Sequence, residues 1–310
     1  MDFSSIISIG TLVQVLRISP EWFMLKNDAA EGRMTLSVRN NFLKGGIILA
    51  AISLCIVGAG GYFAFSAFPG LVDSAALRSQ GIFLRFITGL VKPAAYVPLL
   101  TMLAAVGYSF ISITLLYFFF EKTQSPEILF FAFFILSLAF ESARIMIPLR
   151  EVFHFPAIFL VSASRVLLFG RYFGVFSLFA ASAFAAGLDV HKQQNVFLLL
   201  GLAAMFIVLN IPIDGLVWDS SFKLLTGYTS LSNMIGAGIL AVTMLTFFIS
   251  AYTRDSRTYI TIGIGAFLAF AGRNLLIYSD TWITPLPGLM ILIAGTWLAC
   301  SRLHLVYLWL

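Results

Sequence analysis

Residues 126–148 read PEILFFAFFILSLAFESARIMIP, and this stretch decides the class of fold. A helix rises about 1.5 Å per residue, so roughly 20 apolar residues cross a hydrocarbon core about 30 Å thick. The stretch has that length, and it carries Glu141 and Arg144 three residues apart within its apolar part. It therefore predicts a transmembrane helix with a charged pair on one face.

The composition of the whole chain agrees with a membrane protein. Of its 310 residues, 60% are hydrophobic and 11% are charged, and the mean hydropathy is +0.98. Soluble domains carry charge on about 25% of their residues. The sequence thus predicts an all-α, polytopic integral membrane protein with about eight transmembrane helices. The predicted spans are 43–65, 94–120, 126–148, 155–188, 195–217, 231–252, 258–278 and 287–309.

The apolar stretch 155–188 leaves the number of spans open. It is too long for one perpendicular helix, and it contains Arg165 and Arg171. It could form one long tilted helix, or it could cross twice and give nine spans, in which case every later segment inverts.

An internal echo indicates a possible duplication. A Leu-Ala-Phe tripeptide precedes both Pro156 and Pro287, and an arginine follows each proline after fifteen residues, at Arg171 and Arg302. Eight spans make this a parallel duplication of four and four, whereas nine spans make it an inverted repeat of three. On either basis, residues 94–171 and 231–302 are expected to superpose.

The chain divides into an N-terminal segment and one membrane domain. Residues 1–42 hold a concentration of polar residues and are predicted to be cytoplasmic or to lie in the membrane interface, and residues 43–310 form the transmembrane domain. The longest connection between spans, 69–93, predicts a short helix on the membrane surface that caps the opposite side. The domain is expected in the plasma (inner) membrane of the cell.

Several classes of function are disfavoured. The chain has no glycine-rich phosphate loop, nucleophile elbow or zincin pair, so enzymatic activity is not indicated. Cys55 and Cys300 lie in apolar blocks, and the three histidines are far apart, so no metal site or cofactor is predicted. The formal charge of +5 is explained by basic cytoplasmic loops rather than by binding of nucleic acid.

Charged and amide side chains inside the spans are the candidates for function. A charge at membrane depth costs roughly 2.5–3.5 kcal/mol, so it usually faces other helices or a cavity. The candidate ligand-binding residues are Glu141, Arg144, Arg165, Arg171, Asn210, Asp214, Arg273 and Asn274. Because arginines outnumber acids, a shared cavity would favour a phosphate, a carboxylate or a lipid headgroup.

A simpler interpretation has no ligand. Glu141 and Arg144 would form a structural pair, while Arg171, Arg273 and Asp214 would extend to the two interfaces. The segment from Asn210 to Asp214, with its proline, would then be a helix end rather than a break that binds a cation or proton. Arg165 is the hardest to explain in this way, because its own segment offers no partner.

Two classes of function follow from these alternatives. In the first, the protein transports or binds an anionic small molecule or a lipid through its arginine-containing interior. In the second, it is a non-enzymatic sensory or scaffold subunit that works with membrane protein partners. Enzymatic chemistry on lipid within the membrane is a less favoured third class.

We predict that both termini are cytoplasmic, because basic residues concentrate on that side of an eight-span topology. The predicted cytoplasmic loops contain ten lysines and arginines, and the predicted external loops contain five. Reporter fusions at residue 30, within 70–92, within 189–194 and at the C-terminus should read inside, outside, inside and inside. Termini on opposite sides of the membrane would contradict the prediction.

Overall fold

The structure, a computed structural model, describes residues 36–67, 96–120, 125–213 and 218–308, except for residues 220, 225, 228 and 255. Two predictions fall outside these residues. One is the interfacial or cytoplasmic segment before residue 36, and the other is the surface helix within 69–93.

The described part of the chain is helical, with one isolated β-bridge between Trp218 and Leu224. It also contains two 3-10 segments, Ser137–Ile145 and Val190–Lys192. The α-helices are α1 Leu36–Ala67, α2 Tyr96–Phe120, α3 Pro126–Leu136, α4 Met146–Phe153, α5 Ala157–Ala185, α6 Gln193–Asn210, α7 Thr229–Thr253, α8 Thr258–Ile277 and α9 Pro285–Leu308.

Eight stretches of this described chain are long and apolar enough to cross a membrane. Six are single helices; the third span combines α3, the 3-10 segment and α4, and the fifth span combines Val190–Lys192 with α6. The predicted all-α polytopic fold with eight spans is therefore confirmed.

The structure answers the question left open at 155–188. The α5 helix runs without interruption through 29 residues, so this stretch crosses once. Its length of about 43 Å exceeds the hydrocarbon thickness, as expected for a tilted helix. The nine-span alternative and its inverted repeat are wrong, whereas the parallel duplication stays a prediction.

Three helix boundaries differ from the prediction by five residues or more. The α6 helix ends at Asn210, seven residues before the predicted end of its span at 217. The α1 helix, Leu36–Ala67, includes seven residues that precede the predicted span, among them Arg39, Asn40 and Asn41. The third span continues through Pro148 to Phe153. There the chain turns at His154, whose φ is +54°, and Pro156 directly precedes α5. This left-handed residue ends the helix as a glycine commonly does.

The third span lies at the centre of the bundle. It starts at a capped end, where the Ser125 hydroxyl accepts a hydrogen bond from the Ile128 amide and Pro126 occupies the first turn. It packs against α1, α2 and α5 and is the most buried of the eight spans. Glu141 and Arg144 on this span therefore face protein rather than lipid.

The α8 and α9 helices form a close hairpin at one side of the bundle. A Cβ atom added at Gly272 would lie 2.3 Å from the Leu292 amide nitrogen, and one at Gly295 would lie 2.3 Å from the Ala269 nitrogen. Glycine is required at both positions because the two backbones touch there. This packing holds α8, which carries Arg273, in a fixed position against the core.

Candidate functional site

A buried ion pair between the third span and α5 forms the base of the candidate site. The Arg171 guanidinium donates from Nε and Nη2 to the two carboxylate oxygens of Glu141, over 2.9 and 3.0 Å. Arg144 lies on the other side, with Nη1 3.5 Å from Glu141 Oε2. Glu141 and Arg144 are fully buried, which confirms the prediction that they are bonded and face other helices.

The 3-10 winding of the third span explains why Glu141 and Arg144 meet. Side chains at positions i and i+3 eclipse one another in a 3-10 helix, which has three residues per turn. Leu138, Glu141 and Arg144 follow this spacing, and all three are buried. Pro148, in the first turn of α4, has no N–H to donate to the carbonyl group of Arg144, so one α-helical hydrogen bond is missing at this point.

The connection between α6 and α7 contributes to the same cluster. Arg144 donates a hydrogen bond from Nη2 to the Ser221 carbonyl oxygen, and Ser221 is buried. Leu224 is buried as well and packs beside Ile147 and Leu160. Part of this connection is therefore bound to the bundle through one of the buried arginines.

Arg273 enters the cluster from α8 and is the least satisfied of the three arginines. Its Nη2 donates to the Arg171 carbonyl oxygen over 3.2 Å. Its Nε and Nη1 have no hydrogen-bond partner within the described chain, although the residue is only 1% exposed. Gly174 makes room for this guanidinium, because a Cβ atom there would lie 2.9 Å from Nη1.

A cavity of about 470 Å³ opens beside these arginines, between α5, α7 and α8. Its wall combines cationic, neutral polar and apolar side chains. Arg171, Arg273 and Lys223 are the cationic members; Tyr172, Thr226, Ser232, Asn233, Asn274 and Tyr278 are polar; Leu168, Val175, Leu240, Phe270 and Ile277 are apolar. Tyr172 and Ser232 hydrogen-bond across the α5–α7 interface at 2.6 Å.

Lys223 and Tyr278 lie where the cavity meets the α6–α7 connection. The Lys223 ammonium is 4.6 Å from the centroid of the Tyr278 ring, and the Arg171 guanidinium is 5.6 Å from it. Burial, together with the positive charges of Arg171 and Arg144, lowers the pKa of Lys223 from 10.5 to about 8, against an opposing effect of Asp219 and Glu141. The lysine thus titrates close to physiological pH.

The structure brings together five of the eight predicted residues: Glu141, Arg144, Arg171, Arg273 and Asn274. Contrary to the prediction of a shared cavity, Arg165 is exposed on α5 and does not line it. Six residues at 3.6 per turn separate Arg165 from Arg171 by about 120° around the helix. Arg165 therefore points away from the bundle when Arg171 points into it.

The predicted feature at Asn210 is a plain helix end. The α6 helix stops at Asn210, whose exposed side chain donates to the Phe206 carbonyl oxygen of its own helix. Asn210 does not line the cavity. Asp214 lies outside the described residues.

Sequence reasoning missed Lys223 and Tyr278. In the sequence, Lys223 is one of the five basic residues of the predicted external loops, and Tyr278 is the last residue of a predicted span. The available signal was the position of Lys223 between Phe222 and Leu224, since apolar neighbours on both sides are unusual for a solvated loop lysine.

We predict that Glu141→Gln strongly destabilises the protein. The substitution leaves Arg144 and Arg171 buried without their carboxylate, and loss of one partner of a buried pair costs about 3–5 kcal/mol. Thermal unfolding of the purified protein in detergent measures this effect. Arg165→Gln is the control, because Arg165 is exposed; equal unfolding temperatures for the two variants would contradict the prediction.

Comparison of the chain with protein-family models, with curated proteins and with solved structures gives no match. The function must therefore be argued from the residues of this site.

Proposed function

We propose that this protein binds an anionic ligand in the cavity between α5, α7 and α8, through a phosphate or carboxylate group of that ligand. The observation that carries this proposal is Arg273. It is buried, it lines the cavity, and two of its guanidinium nitrogens lack a partner in the described chain.

An unpaired guanidinium is costly in a protein interior. Leaving a buried donor without an acceptor costs about 1–3 kcal/mol, and more when the group is charged. Arg273 bears this cost beside a second arginine, since its single hydrogen bond goes to the backbone of Arg171. A phosphate or carboxylate bound at this guanidinium would supply acceptors, because guanidinium binds such groups through paired donors.

The charge balance of the cluster also favours an anion. Three arginines surround one carboxylate, Glu141. Lys223 adds a further positive charge at the cavity, with Asp219 as its nearby acid. Four cationic side chains thus lie beside two acids, Glu141 and Asp219, and such an excess of positive charge attracts anions.

The scaffold interpretation fits these residues less well. It expects each arginine to reach the headgroup layer from a helix end, with its charge in water. Arg171 lies fourteen residues after the start of α5, its side chain is 13% exposed, and it is paired to Glu141. Both Arg171 and Arg273 turn toward the bundle interior instead of an interface.

We further propose that this cavity is the substrate site of a transport protein in the plasma (inner) membrane, with both termini cytoplasmic. A charged site enclosed by several spans at membrane depth is typical of transporters. The 3-10 segment beside the site supports this, because an interrupted helix marks a place where a span can change its winding.

We predict that Arg273→Gln weakens anion binding strongly without destabilising the unliganded protein. Glutamine removes the charge and the paired donors, and loss of charge-assisted hydrogen bonds of about 1.5–3 kcal/mol lowers affinity about 10- to 150-fold. Titration with inorganic phosphate, followed by thermal unfolding in detergent, should give saturable stabilisation of the wild type only. The unliganded variant should unfold at or above the wild-type temperature, since an unpaired charge is gone.

Arg273→Lys is the matched variant for this experiment. It keeps the positive charge but loses the planar fork, so intermediate affinity is expected. Two results would refute the proposed function. One is equal stabilisation of the wild type and Arg273→Gln by phosphate. The other is that neither phosphate nor succinate stabilises the wild type.

We predict that anion affinity falls as the pH rises through about 8. The pKa of Lys223 is lowered to about 8, so this side chain is charged below that pH and neutral above it. Binding of sulfate, whose own charge is constant in this range, should weaken between roughly pH 7 and roughly pH 9.5. Lys223→Arg should remove this pH dependence because arginine stays protonated. Unchanged pH dependence in that variant would show that another group is responsible.

A further inference from the structure

The α7 wall of the cavity is also part of the outer surface of the bundle. Asn233 and Ala237 line the cavity, and both are exposed. Gly236 lies between them and lines the cavity too, and a Cβ atom added there would meet nothing within 4 Å. The cavity therefore reaches the outside of the protein past the small residues of α7.

This opening lies within the depth of the bilayer. Ala237 comes eight residues after the start of α7 at Thr229, which places it about 12 Å along the helix axis. The residues around it on the outer face are apolar and exposed, such as Met234 and Val242. A molecule that passes Gly236 and Ala237 would thus come from the hydrocarbon region instead of from water.

The lining of the cavity is divided along the membrane normal. Lys223 and Tyr278 lie at the end next to the α6–α7 connection. The apolar residues Val175 and Phe270 lie about one turn deeper than Arg171 and Arg273 on their respective helices. Leu240 continues this apolar part on α7. Leu168 and Ile277 add apolar contacts at the end that holds the cations, whereas the deeper end carries no charged residue. The cavity thus has a cationic end and an apolar end, and an amphipathic ligand matches both.

We propose that the anion is the phosphate headgroup of a membrane lipid, which reaches Arg273 sideways through the gap at Gly236 and Ala237. The headgroup binds at the cationic end, while the acyl chains lie along the apolar part of the cavity and the exposed face of α7. This inference rests on the proposed anion site, to which it adds the ligand class and the access route. The buried guanidinium of Arg273, with two nitrogens that lack a hydrogen-bond partner in the described chain, is the independent observation that distinguishes the gap from a mere row of small residues.

The test compares a lipid with its soluble headgroup. Purified protein in detergent is titrated with dioleoyl phosphatidic acid, with glycerol 3-phosphate and with dioleoyl phosphatidylcholine as the neutral lipid, and thermal unfolding reports binding. Phosphatidic acid should bind at least ~10-fold more tightly than glycerol 3-phosphate, because its chains add contacts that the soluble anion lacks. Phosphatidylcholine should give no saturable stabilisation.

Two glycines on the same helix provide matched variants. Gly236→Leu places a side chain in the gap and should weaken phosphatidic acid binding about 10-fold or more, while glycerol 3-phosphate still binds from the aqueous end. Gly238→Leu adds the same side chain at a position that is also open but does not line the cavity, so it should bind both ligands like the wild type. The unliganded unfolding temperatures of the two variants show whether both are folded.

The possible outcomes separate this inference from the proposed function. If glycerol 3-phosphate binds as tightly as phosphatidic acid, or if the two leucine variants behave alike, the site takes a soluble anion and the lipid inference is overturned. If neither anion stabilises the wild type, the anion site itself is refuted and the inference falls with it. Loss of both anions in Arg273→Gln together with selective loss of the lipid in Gly236→Leu supports both.

Discussion

A carboxylate buried at membrane depth must be matched by positive charge, and the arrangement of the bundle interior follows from this requirement at Glu141. The carboxylate is enclosed by Arg171 from α5 and Arg144 from its own span. Arg171 in turn presents its backbone carbonyl group to Arg273, and Arg144 holds the carbonyl group of Ser221. Glu141 thereby links the third span to α5 directly. Through its two arginine partners it also links α8 and the α6–α7 connection to the same cluster.

The sequence predicted the elements of this network better than their pairing. Glu141 and Arg144 lie in one span at a spacing of three, so their contact follows from helix geometry alone. The bond between Glu141 and Arg171 joins side chains thirty residues apart, and it depends on how the third span and α5 pack, which composition does not specify. Arg165 was grouped with Arg171 although their angular separation on a helix argues against it. The position of Lys223 depends on the path of a connection that has no periodic pattern to interpret.

The three arginines differ in what they contribute to the protein without a ligand. Arg171 donates hydrogen bonds to both carboxylate oxygens of Glu141. Removal of Arg171 would leave this buried carboxylate without its main partner. Arg273 has only a weak bond to a backbone carbonyl group, and it is also held against the Phe134 ring at 5.6 Å. Stability alone does not account for an arginine in that position. Residues that destabilise the free protein are commonly those that act on a ligand. The rest of the protein compensates for their unfavourable free energy.

The 3-10 segment of the third span has a mechanical consequence. A 3-10 helix rises about 2.0 Å per residue and an α-helix about 1.5 Å, so the nine residues Ser137–Ile145 are about 4.5 Å longer than the same residues in α-helical form. Rewinding them would draw α3 toward α4 by nearly the pitch of one helical turn. It would also change the angle between Glu141 and Arg144 around the axis, from about 0° in a 3-10 helix to about 60° in an α-helix. The third span is thus longer next to its charged residues than an α-helix of the same sequence would be. A change in the pairing of these residues that rewound the segment would displace α3 along its axis.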